Sequence, residues 1–384
     1  MNARLQPAAG PDTAEPVWRV GGMVYRVAGL PDTDALQALL SDNAMDSWVR
    51  LSLERRPDYF AGERLMGESR TVIAHEARDP ACTVGMYSYR CLPVHVNGVA
   101  TMAGYLGELR VDRQYRHRIG VLRHGFTSIR HLVPADWQAS GSFTSIADGN
   151  NPARRLLEAG LPGMPRYTPL GEMETLVFNT HQGRASDSWQ PAEKRDIPAL
   201  ADFYNREVAA WQFSPVLSES WLAGLDGNNG LHLPDFRLLK NGLDIHGCIA
   251  IWDQRAFKQT VVRGYRTPLD ILRAPYNLWA RLSRRPLLPA AGEQLDHVFL
   301  AFAAFAALGH SATADGVRDA LFVAGRKGAR LGVLGLSTQN PLHAFLKTAL
   351  KGSGYKTRVE SVVLSRGAPM VLDTRPPQPE VAVL

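Results

Sequence analysis

The chain has 384 residues and a formal charge of +6, from 43 Lys and Arg against 37 Asp and Glu, with a pI near 9.3; 45% of it is hydrophobic and 21% charged. This is an ordinary soluble globular composition at about twice the usual domain length, so two cores are expected. The basic excess favours anionic ligands, phosphorylated small molecules among them, and is too mild to demand nucleic acid.

Cys82, Cys91 and Cys248 are odd in number and lie in apolar runs, which reads as reduced core thiols in a cytoplasmic protein rather than as a disulfide or zinc set. The opening MNARLQPAAGPDTAEPVW lacks the apolar segment of a signal peptide, and the longest apolar stretch, 298–308, is too short to span a bilayer. No membrane association is expected, and residues 1–17 read as a flexible tail.

In chain order, a strand is predicted over 23–27 and a helix over 34–40, where Leu36, Leu39 and Leu40 recur at helical spacing. Further helical material is expected to about residue 60, then a strand in RTVIAHEA. Residues 81–111 read as a long hairpin turning at Asn97-Gly98, because both central residues of a type I′ turn need positive φ. Gly104 and Gly107 interrupt its second arm, which marks a bulge or a close-approaching partner. A basic segment follows, with Arg110, Arg113, Arg116, Arg118 and Arg123 around the single acid Asp112, and leads into a helix whose apolar face is Val121, Leu122, Phe126, Ile129 and Leu132. After the strand SFTSIA, Asn151 is placed as the cap of a helix with Pro152 in its first turn and Gly160 at its end, and a strand over 174–178 closes the unit.

The polar, aperiodic residues 181–192 read as a linker between one domain at 18–180 and a second at 193–384. The second half is predicted to repeat the order: helices over 197–225, hairpins over 236–262, a strand at 297–305, a helix at 317–328, a strand at 331–337, then Asn340-Pro341 opening a helix. Asn-Pro thus recurs 189 residues after its first occurrence, a weak sign of internal duplication.

A strand feeding a polar loop and a helix start presents unpaired backbone N–H groups and the positive end of the helix dipole. A diphosphate can occupy such a place, with arginines supplying charge-assisted hydrogen bonds and Gly120 allowing close backbone approach. An extended amide-bearing arm could pair with the strand edge as an added strand does. No HExxH, GxSxG, Walker loop or GxGxxG after a strand is present, so no metal site is expected and the common hydrolase, NTPase and dinucleotide readings fall away.

In ELRVDRQYRHRIGVL and NNPARRLLEAG the sequence resembles the GNAT superfamily of acyl-CoA N-acyltransferases, the first being similar to the family's strand and Arg-x-x-Gly-x-Gly/Ala loop and the second to its Asn-containing helix. The resemblance covers nearly the whole chain and implies an α/β protein of α+β type: two tandem GNAT-like domains, each a mixed, mostly antiparallel sheet flanked by helices. It implies acetyl-CoA or another acyl-CoA as co-substrate and a small-molecule or peptide amine as acceptor. Coenzyme contacts are implied for Leu109, Val111, Arg116, His117, Arg118, Gly120, Val121 and Asn151. The pattern also departs from the family's, with Ile119 and Val121 at glycine or alanine positions, and Leu157 where many members carry the tyrosine that protonates the leaving thiolate; Tyr167 is the candidate substitute. Glu108 is either the acceptor of the amine proton or the partner of a nearby arginine. The second half has no arginine-glycine loop and is expected to be degenerate, walling the acceptor pocket. Two alternatives stay open: an aminoacyl-tRNA-dependent peptidyltransferase of tandem GNAT-like fold, the one reading with a nucleic-acid partner, and a non-catalytic acyl-CoA-binding module.

Overall fold

The computed structural model describes residues 16–384 except 45–48, 64, 140, 228, 283–286, 307–308 and 365–368, and at 139, 151 and 152 the backbone alone. The predicted tail therefore lies outside the described residues up to residue 15, and Val17 already opens a strand.

The first half contains β1 (Val17–Val20), β2 (Met23–Val27), α1 (Thr33–Asp42), β3 (Val49–Glu54), β4 (Glu68–Glu76), β5 (Thr83–Val96), β6 (Val99–Val111), α2 (Ile119–Leu132), α3 (Ala135–Ala139), β7 (Ser142–Ala147), α4 (Asn151–Glu158) and β8 (Arg166–Asn179). The second contains β9 (Trp189–Pro191), α5 (Ile197–Val208), α6 (Glu219–Ala223), β10 (Phe236–Asn241), β11 (Asp244–Trp252), β12 (Gln259–Tyr265), α7 (Thr267–Leu282), β13 (His297–Phe305), α8 (His310–Arg326), β14 (Leu331–Ser337), α9 (Pro341–Ala349) and β15 (Ser353–Val363).

Local chemistry accounts for much of this. Asn97 and Gly98 turn the β5–β6 hairpin with φ of +53° and +80°, as a type I′ turn requires. α1 buries Leu36, Leu39 and Leu40, and α2 buries Val121, Leu122, Ile129 and Leu132, the spacings read from sequence. Two expectations are corrected and one helix is new. Residues 49–54 form a strand rather than helix, because VRLSLE pairs with β12 over two hundred residues away and its alternation satisfies the sheet period. The α4 cap is Asn150, whose Oδ1 accepts from Ala153 N at 3.4 Å, while Asn151 is the first helical residue and its side chain lies outside the described ones. α7 was not foreseen: Pro268 and Pro275 mask its periodicity, and it turns Ile271, Leu278 and Leu282 outward rather than into a core. No described helix is long and apolar enough to cross a membrane.

Among the described residues thirteen strands form one sheet in the order β1-β2-β4-β5-β6-β7-β15-β8-β14-β13-β11-β10-β9, and β12 pairs with β3 apart from it. The centre is an exchange between halves. β15, the last strand of the second half, sits between β7 and β8 of the first, while β8 sits between β15 and β14. Among the described residues all pairings between these strands are antiparallel except β6–β7 and β13–β14, one parallel pair in each half.

The first half has two faces. Tyr87, Tyr89 and Cys91 of β5 pack in the apolar cluster that includes Val121 and Ile129 of α2. Met86, between them in period, packs with Leu36, Leu39 and Leu40 of α1, so Ser88, Arg90 and the Met86 partner Arg110 share the α1 face.

Candidate active site

β6 carries an irregularity where the glycines suggested one. Its register with β5 runs to Ser88↔Gly107 and resumes at Met86↔Arg110, so Glu108 and Leu109 together oppose Tyr87, and Glu108 takes a left-handed φ of +53°. A bulge removes one backbone N–H from the ladder and re-aims the side chains beside it. On the other edge, β6 pairs with β7 only at Gly104↔Ser142 and Tyr105↔Phe143, after which the strands diverge. Thr144 Oγ1 donates to Leu106 O at 2.7 Å, and Tyr105 OH lies 3.0 Å from Ser145 Oγ, at the root of the resulting cleft. Bulge and open strand edge therefore meet in one place. Such an edge can pair with an extended amide chain.

Glu108 leaves the bulge toward the α1 face. Its Oε1 accepts from Arg55 Nε at 2.9 Å and from Arg55 Nη2, its Oε2 accepts from Tyr59 OH, and Arg90 Nη2 stands 3.9 Å from Oε1. Burial alone would raise this carboxyl, but Arg55, Arg90 and the Tyr59 hydrogen bond outweigh burial and bring it down to about 2. Of the two roles weighed from sequence, this geometry suits the ion-pair anchor: a carboxyl at about 2 is a weak acceptor for an amine proton. Its arginine partner lies 53 residues upstream rather than in the basic segment.

That segment divides. Arg110 belongs to the α1 face, its Nη1 donating to Leu109 O at 3.0 Å. Arg113 Nη2 and Arg116 Nη2 reach Asp42 O at 3.1 Å and Asn43 Oδ1 at 2.6 Å, tying the loop to the end of α1. Arg118 stacks on Tyr115 at 4.9 Å and stands at the cap position of α2, where no side chain caps the helix. His117 and Arg118 are exposed, and Gly120 and Val121 form the first helical turn, with a Cβ at Gly120 meeting nothing nearer than His124 at 3.9 Å. The α2 start thus offers its N–H groups beside exposed basic side chains at the mouth of the β6–β7 cleft.

Leu109, Val111, Leu157 and Tyr167 meet in one apolar cluster on the α2 face, with Ile119, Phe126 and Ile146. Leu157 therefore supplies packing and no proton. Tyr167, at the start of β8, is paired in register with Val362 and edge-on to Phe126 at 6.4 Å, and burial pushes its hydroxyl far up, so it stays protonated.

Four groups of this region were missed in the sequence: Arg55, Tyr59, Arg90 and Glu380. Arg90 had a signal, since an arginine inside the apolar run YSYRCLPV must be buried with partners. It is 4% exposed, and its Nη1 donates to Val383 O at 2.5 Å. Lys258 donates to Leu384 O at 2.7 Å and is brought down to about 7, chiefly by burial and then by Arg55 and Arg90.

The second half repeats the motif with its cleft filled. β13 and β14 are in register at His297↔Leu331 through Phe299↔Val333, and Phe302, at a shift in the β11–β13 register, has φ +50°. Gln378 Oε1 accepts from Ser337 N at 3.0 Å, Glu380 Oε2 accepts from Phe302 N at 2.9 Å, and Val381 lies so close that a Cβ at Gly335 would meet it at 2.4 Å. The segment around Glu380 thus occupies the second-half cleft, whereas in the first half β6 and β7 pair only at two positions.

No protein-family model matches the sequence, and no curated protein matches it. The fold is similar to that of solved structures. Saccharomyces cerevisiae N-myristoyltransferase with bound myristoyl-CoA and inhibitors aligns with a TM-score of 0.60 at 11% identity, covering 97% of this chain and 90% of that one. A GCN5-related N-acetyltransferase from Sphaerobacter thermophilus aligns at 0.51 and 12%, covering 91% and 98%. This chain has the GCN5-related N-acyltransferase fold. A glucosamine N-acetyltransferase region of that type in a fungal multi-domain beta-N-acetylglucosaminidase aligns at 0.56 and 13%, covering 88% of this chain and 38% of that one.

Proposed function

We propose that the protein is an acyl-CoA-dependent N-acyltransferase whose donor lies in the β6–β7 cleft. The observation that carries this reading is the coincidence of the β6 bulge, the open strand edge beyond Tyr105 and the uncapped start of α2. One structurally similar enzyme is described with myristoyl-CoA bound, which supports a CoA thioester as donor.

In this reading the pyrophosphate rests on the α2 N-terminus with Arg116, His117 and Arg118, and Gly120 and Val121 give their backbone to it. The pantetheine arm pairs with the β6 edge past Leu109 and Val111. The N–H freed at the bulge then polarises the thioester carbonyl, worth about 2.7–4 kcal/mol for one well-placed donor. The amine nitrogen bonds to the carbonyl carbon, the C–S bond breaks with its electron pair on sulfur, one amine proton passes to water, and the thiolate takes a proton. Tyr167, packed on the α2 face with Leu109 and Val111, is the proposed donor of that proton. Glu108 holds Arg55, Tyr59 and the bulge in shape, while Lys258 and Glu380, each brought to about 7, are the groups on the other face able to change protonation near neutrality. The second half, its cleft filled, lends β15 to the first.

Thermal shift with acetyl-CoA and longer acyl-CoAs tests the site, since a ligand at a hundred times its dissociation constant adds about 2.7 kcal/mol of stability. A shift followed by thiol release with an amine supports the enzyme. Binding without release across an amine panel reduces it to a coenzyme-binding module, and no shift with any CoA ester ends the proposal.

A further inference from the structure

Buried cations gather on the α1 face. Arg55, Arg90, Arg110 and Lys258 converge there with Glu63, Glu108 and Glu380, as their mutual electrostatic effects record. Each acid already has donors. Glu63 accepts from Ser69 at 3.1 Å and Thr71 at 3.0 Å, Glu108 from Arg55 and Tyr59, and Glu380 from Phe302 N and Ala382 N at 2.9 and 3.1 Å. Lys258 is engaged by Leu384 O. Left buried and without a hydrogen-bond partner on this face are the Ser88 hydroxyl and two guanidinium donors, Arg90 Nε and Arg110 Nε. Burial, and then the Arg55 charge, lower Arg90 against the opposing pull of Glu108.

These arginines flank the proposed acyl position. Arg110 adjoins the bulge in β6, Arg90 is the register partner of Tyr105 where the cleft opens, and both point away from the α2 face that takes the coenzyme phosphates. Arg110 is partly exposed, though its Nε is buried. Resting on the acyltransferase reading, we propose that the acceptor is an amine carrying an anionic group, carboxylate or phosphate, a few bonds from its nitrogen, and that Arg110 and Arg90 receive that anion. A planar fork of N–H donors matches either group, and docking it would satisfy the two orphaned donors while setting the nitrogen toward the bulge. A neutral amine of the same size leaves them unpaired, and a site built to hydrogen-bond a substrate group rejects the analogue lacking it strongly.

Matched pairs test this: O-phosphoethanolamine against ethanolamine, and glycine against glycinamide. Thermal shift is read in saturating CoA, and thiol release with acetyl-CoA. The anionic member of at least one pair is expected to bind or react at least about tenfold better, and Arg110→Gln is expected to erase that gap while keeping the shift with CoA itself. Arg90→Gln, if folded, does the same. Equal behaviour within both pairs, or a gap unchanged in Arg110→Gln, overturns the anionic acceptor alone. Absence of any shift with acetyl-CoA removes the reading beneath it and the proposal with it.

Discussion

Phe302 donates its backbone N–H to Glu380 Oε2 at 2.9 Å from a left-handed position, φ +50°, that corresponds to Glu108 at +53° in the other half. The same bulge occurs twice, once open to a cleft and once answered by a carboxylate. Acetyl-CoA should therefore bind with a stoichiometry of one per chain in calorimetric titration. Two equivalent sites would contradict the assignment of the second cleft as filled.

Arg55 and Glu108 form a buried pair, so breaking it is costly. Arg55→Ala leaves a buried carboxylate with one cation fewer and is expected to lose about 3–5 kcal/mol of stability in urea unfolding. Glu108→Gln keeps the bulge side chain's shape but leaves Arg55 and Arg90 buried without their anion, and should lose a comparable amount, about 3–5 kcal/mol. The sign with pH is fixed by the folded value of about 2 against the usual 4.5: the unfolded chain binds the proton first, so the contribution is complete above 4.5 and is lost as pH falls toward 2. Glu108→Gln should flatten that part of the acid limb.

Lys258 titrates in the opposite sense. Its folded value is about 7 against 10.5 ordinarily, so between those values the unfolded chain holds a proton that the folded chain has released. Stability should then rise with pH across that window, by at most about 1.4 kcal/mol per pH unit for the one proton. Lys258→Met should remove the rise, and an unchanged slope would mean the amine is not desolvated as described.

Arg116→Ala with Arg118→Ala should abolish the acetyl-CoA thermal shift while leaving the melting temperature of the free protein within a few degrees, since both side chains are exposed. Normal binding by the double variant would move the phosphate site elsewhere.

The sequence spoke clearly wherever chemistry was local. Asn97-Gly98 could make only one kind of turn, the α1 leucines had one periodicity, and the interrupted strand at Gly104 and Gly107 announced the bulge. It was silent where contacts join distant residues. Nothing near Val49 reveals that β3 will pair with β12, and nothing near Ser353 reveals that β15 will enter the other half's sheet between β7 and β8. The candidate site divides along the same line. The loop from Asp112 to Arg118 was legible, whereas Arg55 and Tyr59 reach the β6 bulge, and Glu380 its counterpart at Phe302, only through tertiary folding; of the two roles the sequence left open for Glu108, a distant arginine favours the ion pair.

The most direct test is a crystal structure with acetyl-CoA bound. The account predicts the pantetheine arm between β6 and β7, the thioester oxygen within hydrogen-bond distance of an N–H at Glu108 or Leu109, and the pyrophosphate at the start of α2. Coenzyme bound elsewhere, or a β6–β7 cleft left empty at saturating ligand, would contradict it.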